Sequence, residues 1–304
     1  MTFFKFNITF VNKLFFLFFL ISTCIYSFSQ NKNDTAKISD FGQFLNKLKY
    51  PEDVKNSYML ELSYGLSLPG FGGKFSTPIV KAFSLDIRYG FVRLDSIFTL
   101  PHNYYFASEF AFLRNASSHL KLNREKITSG VTTDAWCFGF GYSNGYGYTP
   151  NDDSKFTLYN SGTINWSKVD IENFPSNPAD SNIAKLYDEE FRFGTSFDCG
   201  FIVDVIPVLK FDLGYEHQII FPRHLAWKWL GSSSIELFFQ RAIDLYGIEI
   251  LKLDNKNLPI INFIIKNAVS FIFYEFRRHQ MNWPFKSETP MNYDNMKIGL
   301  KFVF

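Results

Sequence analysis

After its first thirty residues the chain lacks any apolar run with the length and purity of a membrane-spanning helix. It also lacks a charge excess. Lys5 and Lys13 are the only charged residues up to Gln30, and the remainder carries 29 basic and 29 acidic side chains. A neutral chain without a basic cluster gives no indication of a nucleic-acid partner.

Cysteine is scarce as well, with three residues in 304. Cys24 lies in the apolar leader, so two remain in the exported chain described below. Read with the two-residue period of a strand, Cys199 shares a face with Phe197 and Phe201, whereas Cys137 lies opposite Trp136. Because bridged cysteines must present their Cβ atoms to each other, we predict two free thiols.

Motifs that carry chemistry are missing too. The five histidines form no close ligand pair, and there is no Gly-x-Ser-x-Gly sequence and no phosphate-binding loop. We therefore expect no catalytic residue, no cofactor and no metal.

The amino-terminus has the pattern of a signal peptide. Lys5 and Lys13 precede an apolar run at 14–25, and Ser27 and Ser29 supply the small residues before a cleavage site. Residues 1–29 are predicted to be removed before Gln30, leaving a polar leader at 30–56. A lipoprotein that begins at Cys24 is a weaker alternative, since Thr23 is unfavourable before a lipidated cysteine.

What the chain has in abundance is aromatic side chains, with 38 Phe and 16 Tyr. They recur with period 2, opposite Gly, Ser and charged residues, which is typical of strands with one apolar face. Asn160 and Gly162 interrupt the apolar face of the fifth segment. The eight predicted strands cover 58–68, 79–91, 104–113, 133–142, 155–166, 191–203, 209–219 and 297–304.

The last strand carries the most specific signal. Ile298, Leu300, Phe302 and Phe304 share one face, and the chain ends on an aromatic residue. The spacing of Lys297, Gly299, Phe302 and Phe304 resembles the assembly signal of bacterial outer-membrane β-barrel proteins. This resemblance implies an outer-membrane location, with membrane lipid and the barrel-assembly machinery as partners.

The predicted fold is therefore an all-β membrane barrel, antiparallel and up-and-down, with about eight strands over residues 57–304. A soluble β-sandwich is the alternative, because its strands also alternate. The barrel is favoured by the second face, which carries Gly, Ser and charged residues in mid-strand, where a small barrel needs room and internal pairing. The predicted gaps after strands one, three, five and seven are long, and those after strands four and six are short. This asymmetry places both termini in the periplasm.

Charged residues on the second face are predicted to point into the lumen and to form a paired network, because unpaired buried charge is costly. An ion path is the alternative, and acidic excess in this set would then favour cations. The predicted set is Glu61, Asp86, Arg88, Glu109, Arg192, Asp198, Asp204, Lys210, Asp212 and Glu216.

A segment at 222–285 has the helical period and forms an insertion before the last strand. One helix is predicted from a cap at Ser232–Ser234 to Gly247, and a second from Pro259 to about Arg278. A strand at 268–277 is the alternative. The apolar helices are expected to cap the barrel mouth, to lie at the membrane or to dock a partner protein.

These patterns favour a non-enzymatic structural or accessory component of envelope transport or export machinery. A narrow porin-like channel and a lipid-modifying enzyme are the alternatives. Small lipid-A deacylase barrels use an outward His and Ser, and His217 has outward parity. However, Gln218 and Ile219 follow it, so the His-x-Ser pattern is absent.

Overall fold

The computed structural model describes residues 57–96, 103–120, 130–151, 154–251 and 257–304. The predicted signal peptide (1–29) and polar leader (30–56) lie outside these residues. The strands are β1 (Ser57–Gly70), β2 (Ala82–Ser96), β3 (Asn103–Ser117), β4 (Thr132–Asn151), β5 (Ser154–Glu172), β6 (Phe191–Ile206), β7 (Leu209–Ile220) and β8 (Met291–Val303). The helices are α1 (Pro178–Ala184), α2 (Ala226–Leu251) and α3 (Leu258–Arg277).

The eight strands form a closed barrel in sequence order, with every neighbouring pair antiparallel. The ring closes where β8 pairs with β1, for example Leu300 opposite Leu62. The predicted fold class, an eight-stranded antiparallel barrel with a helical segment before the last strand, is therefore confirmed. Closure leaves no free sheet edge among the described strands.

The two ends of the barrel differ. At one end of the barrel, here called the loop end, lie the strand ends that flank the connections at 71–81, 118–131, 173–190 and 221–290. The strand ends that flank the shorter connections at 97–102, 152–153 and 207–208 lie at the other end, the turn end, together with the last residue, Phe304.

Strand parity divides the side chains as the period-2 pattern predicts. Outward positions expose large apolar residues such as Phe140, which is 65% exposed, whereas Gly139 and Gly141 point inward. Gly141 faces the ring of Phe110, which occupies the space that a larger side chain would need.

Strand β3 departs from the prediction. Phe110 and Phe112 lie inside the barrel and Glu109 is exposed on the outer wall, so its assignment to the lumen was wrong. Apolar residues on both faces of this strand hid its parity. β3 also runs four residues beyond Leu113, which brings Arg114 into the lumen.

The lumen is filled in layers. An apolar cluster closes the loop end and is built around Phe71, Val131, Tyr187 and Tyr293. Charged side chains occupy the middle of the lumen, and a second apolar cluster with Met59, Val92, Tyr104, Phe106 and Tyr159 fills the turn-end half. This filling is expected for eight strands, whose interior is just wide enough for side chains.

Loops at the loop end are joined through Asp180 on α1. Its Oδ2 atom accepts hydrogen bonds from the amide and hydroxyl groups of Ser76 (3.1 and 2.7 Å) and of Thr77 (2.9 and 2.7 Å). These bonds, that from the Thr77 hydroxyl above all, lower the pKa of Asp180 to about 2. The contact ties the connection at 71–81 to that at 173–190.

The helical insertion differs from the prediction in detail. α2 begins at Ala226 and continues through Gly247, so Ser232–Ser234 are not its cap and Gly247 does not end it. α3 agrees with the predicted second helix, and the strand alternative at 268–277 was wrong.

The 19 residues Pro259–Arg277 are also long and apolar enough, by length and composition, to cross a membrane. The expectation that the chain has no such run was therefore wrong. Lys266 and the Asn residues near it lower the mean hydropathy of the segment but leave it apolar enough to meet the criterion.

Candidate functional site: the outer wall beneath the helices

Helix α3 packs against the outside of the barrel, where it crosses from β4 to β8. Near its middle, Asn267 accepts a hydrogen bond from Asn160 of β5 at 2.9 Å, and the Lys266 Nζ atom lies 3.5 Å from the Asn144 side-chain oxygen. Both strand residues have outward parity, yet Asn160 is only 6% exposed. The helices therefore cover part of the outer wall and do not cap the mouth of the barrel.

The carboxyl-terminal half of α3 contacts a polar cluster on β7 and β8. Tyr274 donates to the Asp294 Oδ1 atom at 2.8 Å, and its ring stacks on His217 with 4.2 Å between ring centres. His217 Nδ1 lies 3.2 Å from the same Asp294 oxygen. Asp294 thus holds both a histidine of the wall and a tyrosine of the helix, and it fixes α3 to the barrel.

Polar side chains also join α2 to α3. Arg277 donates from Nε to the Ser232 hydroxyl at 3.0 Å and from Nη2 to its carbonyl at 2.9 Å, and it forms an ion pair with Glu236. One turn further along, Gln240 donates to the Ser270 hydroxyl at 2.6 Å. These bonds satisfy polar groups that would otherwise be costly beside an apolar wall.

Between the helices and the wall lies an open groove of about 990 Å³. Its wall side is formed by outward residues of β2 to β7, and its helix side by one face of α2 and the polar residues of α3. The wall contributes Phe140, Asn144, Asn160, Gly162, Ile164, Thr195 and Phe197, and the helices contribute Trp229, Glu236, Leu237, Gln240, Arg241, Lys266 and Arg277.

Inside the barrel, charged residues from six strands form one connected network. Arg88 donates to Asp198 at 3.0 Å and to Asp86 at 3.2 Å, and it lies 3.7 Å from Glu61 and 3.5 Å from Glu216. Arg88 thus hydrogen-bonds to carboxylates on β2 and β6 and forms ion-pair contacts with carboxylates on β1 and β7.

Three further cations complete the network. Arg114 donates one hydrogen bond from each terminal nitrogen to Glu216, from Nη1 to Oε1 and from Nη2 to Oε2, both at 2.7 Å. This paired geometry is the one that a guanidinium favours with a carboxylate. Lys297 pairs with Asp198 and Glu216, and Lys301 lies 3.1 Å from Glu61 and 3.2 Å from Asp212. The assembled set has five carboxylates and four cations.

The structure brings together six of the ten residues proposed for this network, namely Glu61, Asp86, Arg88, Asp198, Asp212 and Glu216. Lys210 forms a separate pair with Asp204 near the turn end. Arg192 is half-buried on the lumen side without an ion pair in the described part of the chain. The predicted set did not include Arg114, Lys297 or Lys301, although the parity of Arg114 follows from the inward Phe112 and the two lysines share the second face of the last strand.

The residues of the proposed assembly signal divide between the two faces of β8. Lys297 is buried in the lumen network, Gly299 has the same parity, and Phe302 and Phe304 point outward. Phe304 exchanges backbone hydrogen bonds with Tyr58 at 2.9 and 3.0 Å, and the two rings stack. The terminal aromatic therefore lies at the seam that closes the barrel.

Within the described residues, Cys137 and Cys199 are both free thiols, as predicted. In the same part of the chain, no group of three His, Cys, Asp or Glu residues is placed to hold a metal ion.

No protein-family model matches the chain, and no curated protein matches it. Among solved structures, the crystal structure of Neisserial surface protein A (NspA) is similar at 11% identity and a TM-score of 0.36, covering 82% of this chain and 99% of that one. Ail, the attachment invasion locus protein of Yersinia pestis, is similar at 9% identity and a TM-score of 0.31, with the same coverage. Its complex with the heparin analogue sucrose octasulfate gives a TM-score of 0.32.

Proposed function

We propose that the protein is an integral outer-membrane β-barrel and acts as a non-enzymatic, non-conducting accessory component of envelope transport or export machinery. The observation that carries the proposal is the outward array of large apolar side chains around a closed barrel. Leu62, Leu85, Ile87, Phe138 and Leu300 are all more than 40% exposed. An apolar surface that continues around the molecule needs lipid to cover it.

The filled lumen supports a role other than conduction. The apolar cluster at the loop end, the ion-paired middle and the apolar cluster at the turn end occupy the interior in turn. A channel would need charged groups that line an open path, whereas these charges are buried against one another. The closed interior therefore favours the accessory role over the porin-like alternative.

The helices α2 and α3 supply the docking surface in this proposal. Trp227 and Phe238 on α2 are 64% and 67% exposed, and Ile264 on α3 is also exposed. None of the three lines the groove. Exposed apolar helix residues beside a barrel wall suit a partner protein within the membrane, in addition to lipid and the barrel-assembly machinery.

The experiment places a photoreactive amino acid at Phe238 in cells, with the same substitution at Leu300 as the matched control. Leu300 is also apolar and exposed but lies on the outer wall of β8 away from the groove. One cross-linked protein at Phe238 that is absent at Leu300 supports docking. Identical products, or lipid alone at both positions, contradict it. Steady conductance of the purified protein in planar bilayers contradicts the closed-barrel part.

A lipid-modifying enzyme is a second candidate, and the His217–Asp294 pair favours it. A carboxylate that orients a histidine on the outer wall is one half of an acyl-transfer site. The other half is missing, since no serine or cysteine hydrogen-bonds to His217 within the described residues. The test replaces His217 by Asn and compares lipid A and phospholipids by mass spectrometry. A lost modification supports the enzyme, and unchanged lipids support the accessory role.

A further inference from the structure

Helix α3 is polar where it is buried and apolar where it is exposed. Its exposed positions recur every three or four residues and carry Ile260, Ile264, Ala268 and Phe271. The polar side chains that are less than 10% exposed are Asn262, Lys266, Ser270 and Arg277. A helix on the surface of a water-soluble protein has the opposite arrangement, whereas a helix in a bilayer directs its polar residues towards protein partners. The exposed face of α3 is therefore suited to hydrocarbon.

The two ends of α3 lie at opposite ends of the barrel. Near the start of the helix, the backbone of Ile260 hydrogen-bonds to the side chain of Tyr148, which is close to the turn end of β4. Just after the helix ends, the Arg278 carbonyl lies beside Gly72, two residues beyond the loop end of β1. The 20 residues of α3 rise about 30 Å, which is the thickness of the hydrocarbon core of a bilayer. α3 is therefore long enough to cross a membrane along the barrel wall.

Helix α2 runs beside α3 in the opposite direction. Only residues 221–225 separate α2 from the loop end of β7. From there, Ser232 bonds to Arg277 and, further along α2, Gln240 bonds to Ser270. As α2 advances, its partners on α3 thus move back towards the start of that helix. The two helices form an antiparallel hairpin against the wall.

The charged residues of α2 within 226–243, where its side chains are described, do not lie on its outer apolar face. Lys228 is in the first turn, at the loop end, and Glu236 pairs with Arg277. Arg241 lines the groove, whose wall side contains the oppositely charged Glu109. The outer face instead carries large apolar side chains that are more than half exposed, namely Trp227, Leu230, Leu237 and Phe238.

We propose that α2 and α3 cross the outer membrane beside the barrel as a helical hairpin, with acyl chains of the bilayer against their exposed apolar face. This face adjoins Met296 and Ile298, outward residues of β8 that follow Asp294, to which Tyr274 of α3 is bonded. It thus continues the surface of the barrel that the proposed function assigns to lipid.

The crossing defines the kind of partner that the helices can bind. With the termini in the periplasm, as the loop asymmetry predicts, α3 starts on the periplasmic side and ends on the outer side. Phe238 is midway along α2, so it lies at the depth of the acyl chains. A partner that contacts Phe238 is therefore itself embedded in the membrane. This inference rests on the proposed outer-membrane location.

The first experiment labels the two ends of α3 from one side of the membrane. Asn257 precedes the helix and His279 follows it, and both are exposed polar residues. Asn257→Cys and His279→Cys are made separately in a Cys137→Ala, Cys199→Ala background, and intact cells are treated with a maleimide that cannot cross the outer membrane. We expect full labelling of His279→Cys, and loss of labelling of Asn257→Cys until the outer membrane is permeabilised.

Equal labelling of the two variants in intact cells, or labelling of neither before permeabilisation, would overturn the crossing. Labelling of Asn257→Cys alone would overturn the assigned orientation. Heat-modified gel migration on the same samples shows that each variant is folded.

The second experiment measures the environment of the exposed face in lipid vesicles. A nitroxide on Ile264→Cys reports whether oxygen, which dissolves in hydrocarbon, or a water-soluble nickel chelate reaches it. The matched controls are Leu300→Cys, on the outer wall of β8, and Leu186→Cys, an exposed leucine in the connection at 173–190. We expect the ratio of oxygen to nickel accessibility at Ile264→Cys to be as high as at Leu300→Cys and several-fold above that at Leu186→Cys.

A ratio at Ile264→Cys as low as at Leu186→Cys, with a high ratio at Leu300→Cys, would overturn the proposed hairpin and leave the barrel in the membrane. A low ratio at Leu300→Cys as well would overturn the membrane location itself. The two failures are therefore distinguishable.

Discussion

Replacement of Arg114 by Met tests whether the lumen network stabilises this barrel. Arg114 is buried and makes two 2.7 Å bonds to Glu216 and one 2.8 Å bond to Asp86. Methionine fills a similar apolar volume but donates no hydrogen bond. The variant therefore removes charge and bonding and leaves most of the packing.

The expected loss follows from what stays behind. The network has one carboxylate more than its cations, and without Arg114 the excess rises to two. Removal of one member of a buried ion pair costs about 3–5 kcal/mol, because the other charge is left without its partner. Glu216 keeps Lys297 at 3.3 Å and Arg88 at 3.5 Å, which favours the lower end, about 3 kcal/mol.

Urea unfolding of the barrel in lipid vesicles measures the loss, with heat-dependent gel migration and tryptophan fluorescence as independent probes. Arg192→Met is the matched control, because Arg192 is also a lumen-side arginine but has no ion pair in the described part of the chain. We expect the control to lose less than about 1 kcal/mol. Equal losses for the two variants would refute the reasoning.

A double variant, Arg114→Met with Glu216→Met, separates pairing from packing. Because the two side chains bond directly, the stability lost in the double variant should be smaller than the sum of the two single losses by at least about 1 kcal/mol. Strict additivity would mean that the two charges do not interact in the folded protein, and the network would then be a packing feature only.

Three further outcomes are expected. Deletion of Phe304 should reduce the heat-modifiable, folded fraction in outer membranes, since the terminal residue closes the seam with β1; wild-type levels would refute its role as an assembly signal. Phe211→Arg on the outer wall should lower the free energy of unfolding in urea by about 2–4 kcal/mol, and Ser196→Ala in the lumen by about 1 kcal/mol. Equal losses would mean that the assigned strand register is wrong by one residue. Because the pKa of Asp180 is lowered, its contribution should be complete above about pH 4 and lost as the pH falls towards 2. Reduced protection against hydrogen exchange at 71–81 in that window, corrected for the pH dependence of intrinsic amide exchange and absent in Asp180→Asn, checks this, and constant protection would contradict it.

Strand parity was the part of the fold that the sequence predicted best, because an outward apolar face and an inward small or charged face give a strong period-2 signal. The same reasoning failed on β3. There Phe110 and Phe112 pack inside the barrel while Ala111 and Leu113 lie outside, so both faces are apolar and parity carries no information. Glu109 was misplaced for this reason, and Arg114 was missed because the predicted strand also ended one residue before it.

The position of the helices on the barrel could not be predicted from the sequence of any single segment. The helical period at 235–246 and 259–278 shows that two helices form, but an apolar helix packs equally well on a barrel mouth, a membrane or a partner protein. Their polar residues determine the choice, and those residues find their partners on distant strands. Asn267 reaches Asn160, which is 107 positions away.

The signal for this packing was nevertheless present as defects in the strand pattern. Asn160 and Gly162 interrupt the apolar face of β5, His217 interrupts that of β7, and Asp294 interrupts that of β8. All four are outward positions: Asn160, His217 and Asp294 bond or stack with α3, and Gly162 lines the groove beside it. In a barrel wall that faces lipid, a polar interruption that recurs on neighbouring strands therefore indicates a covered surface, and it locates the segment that covers it.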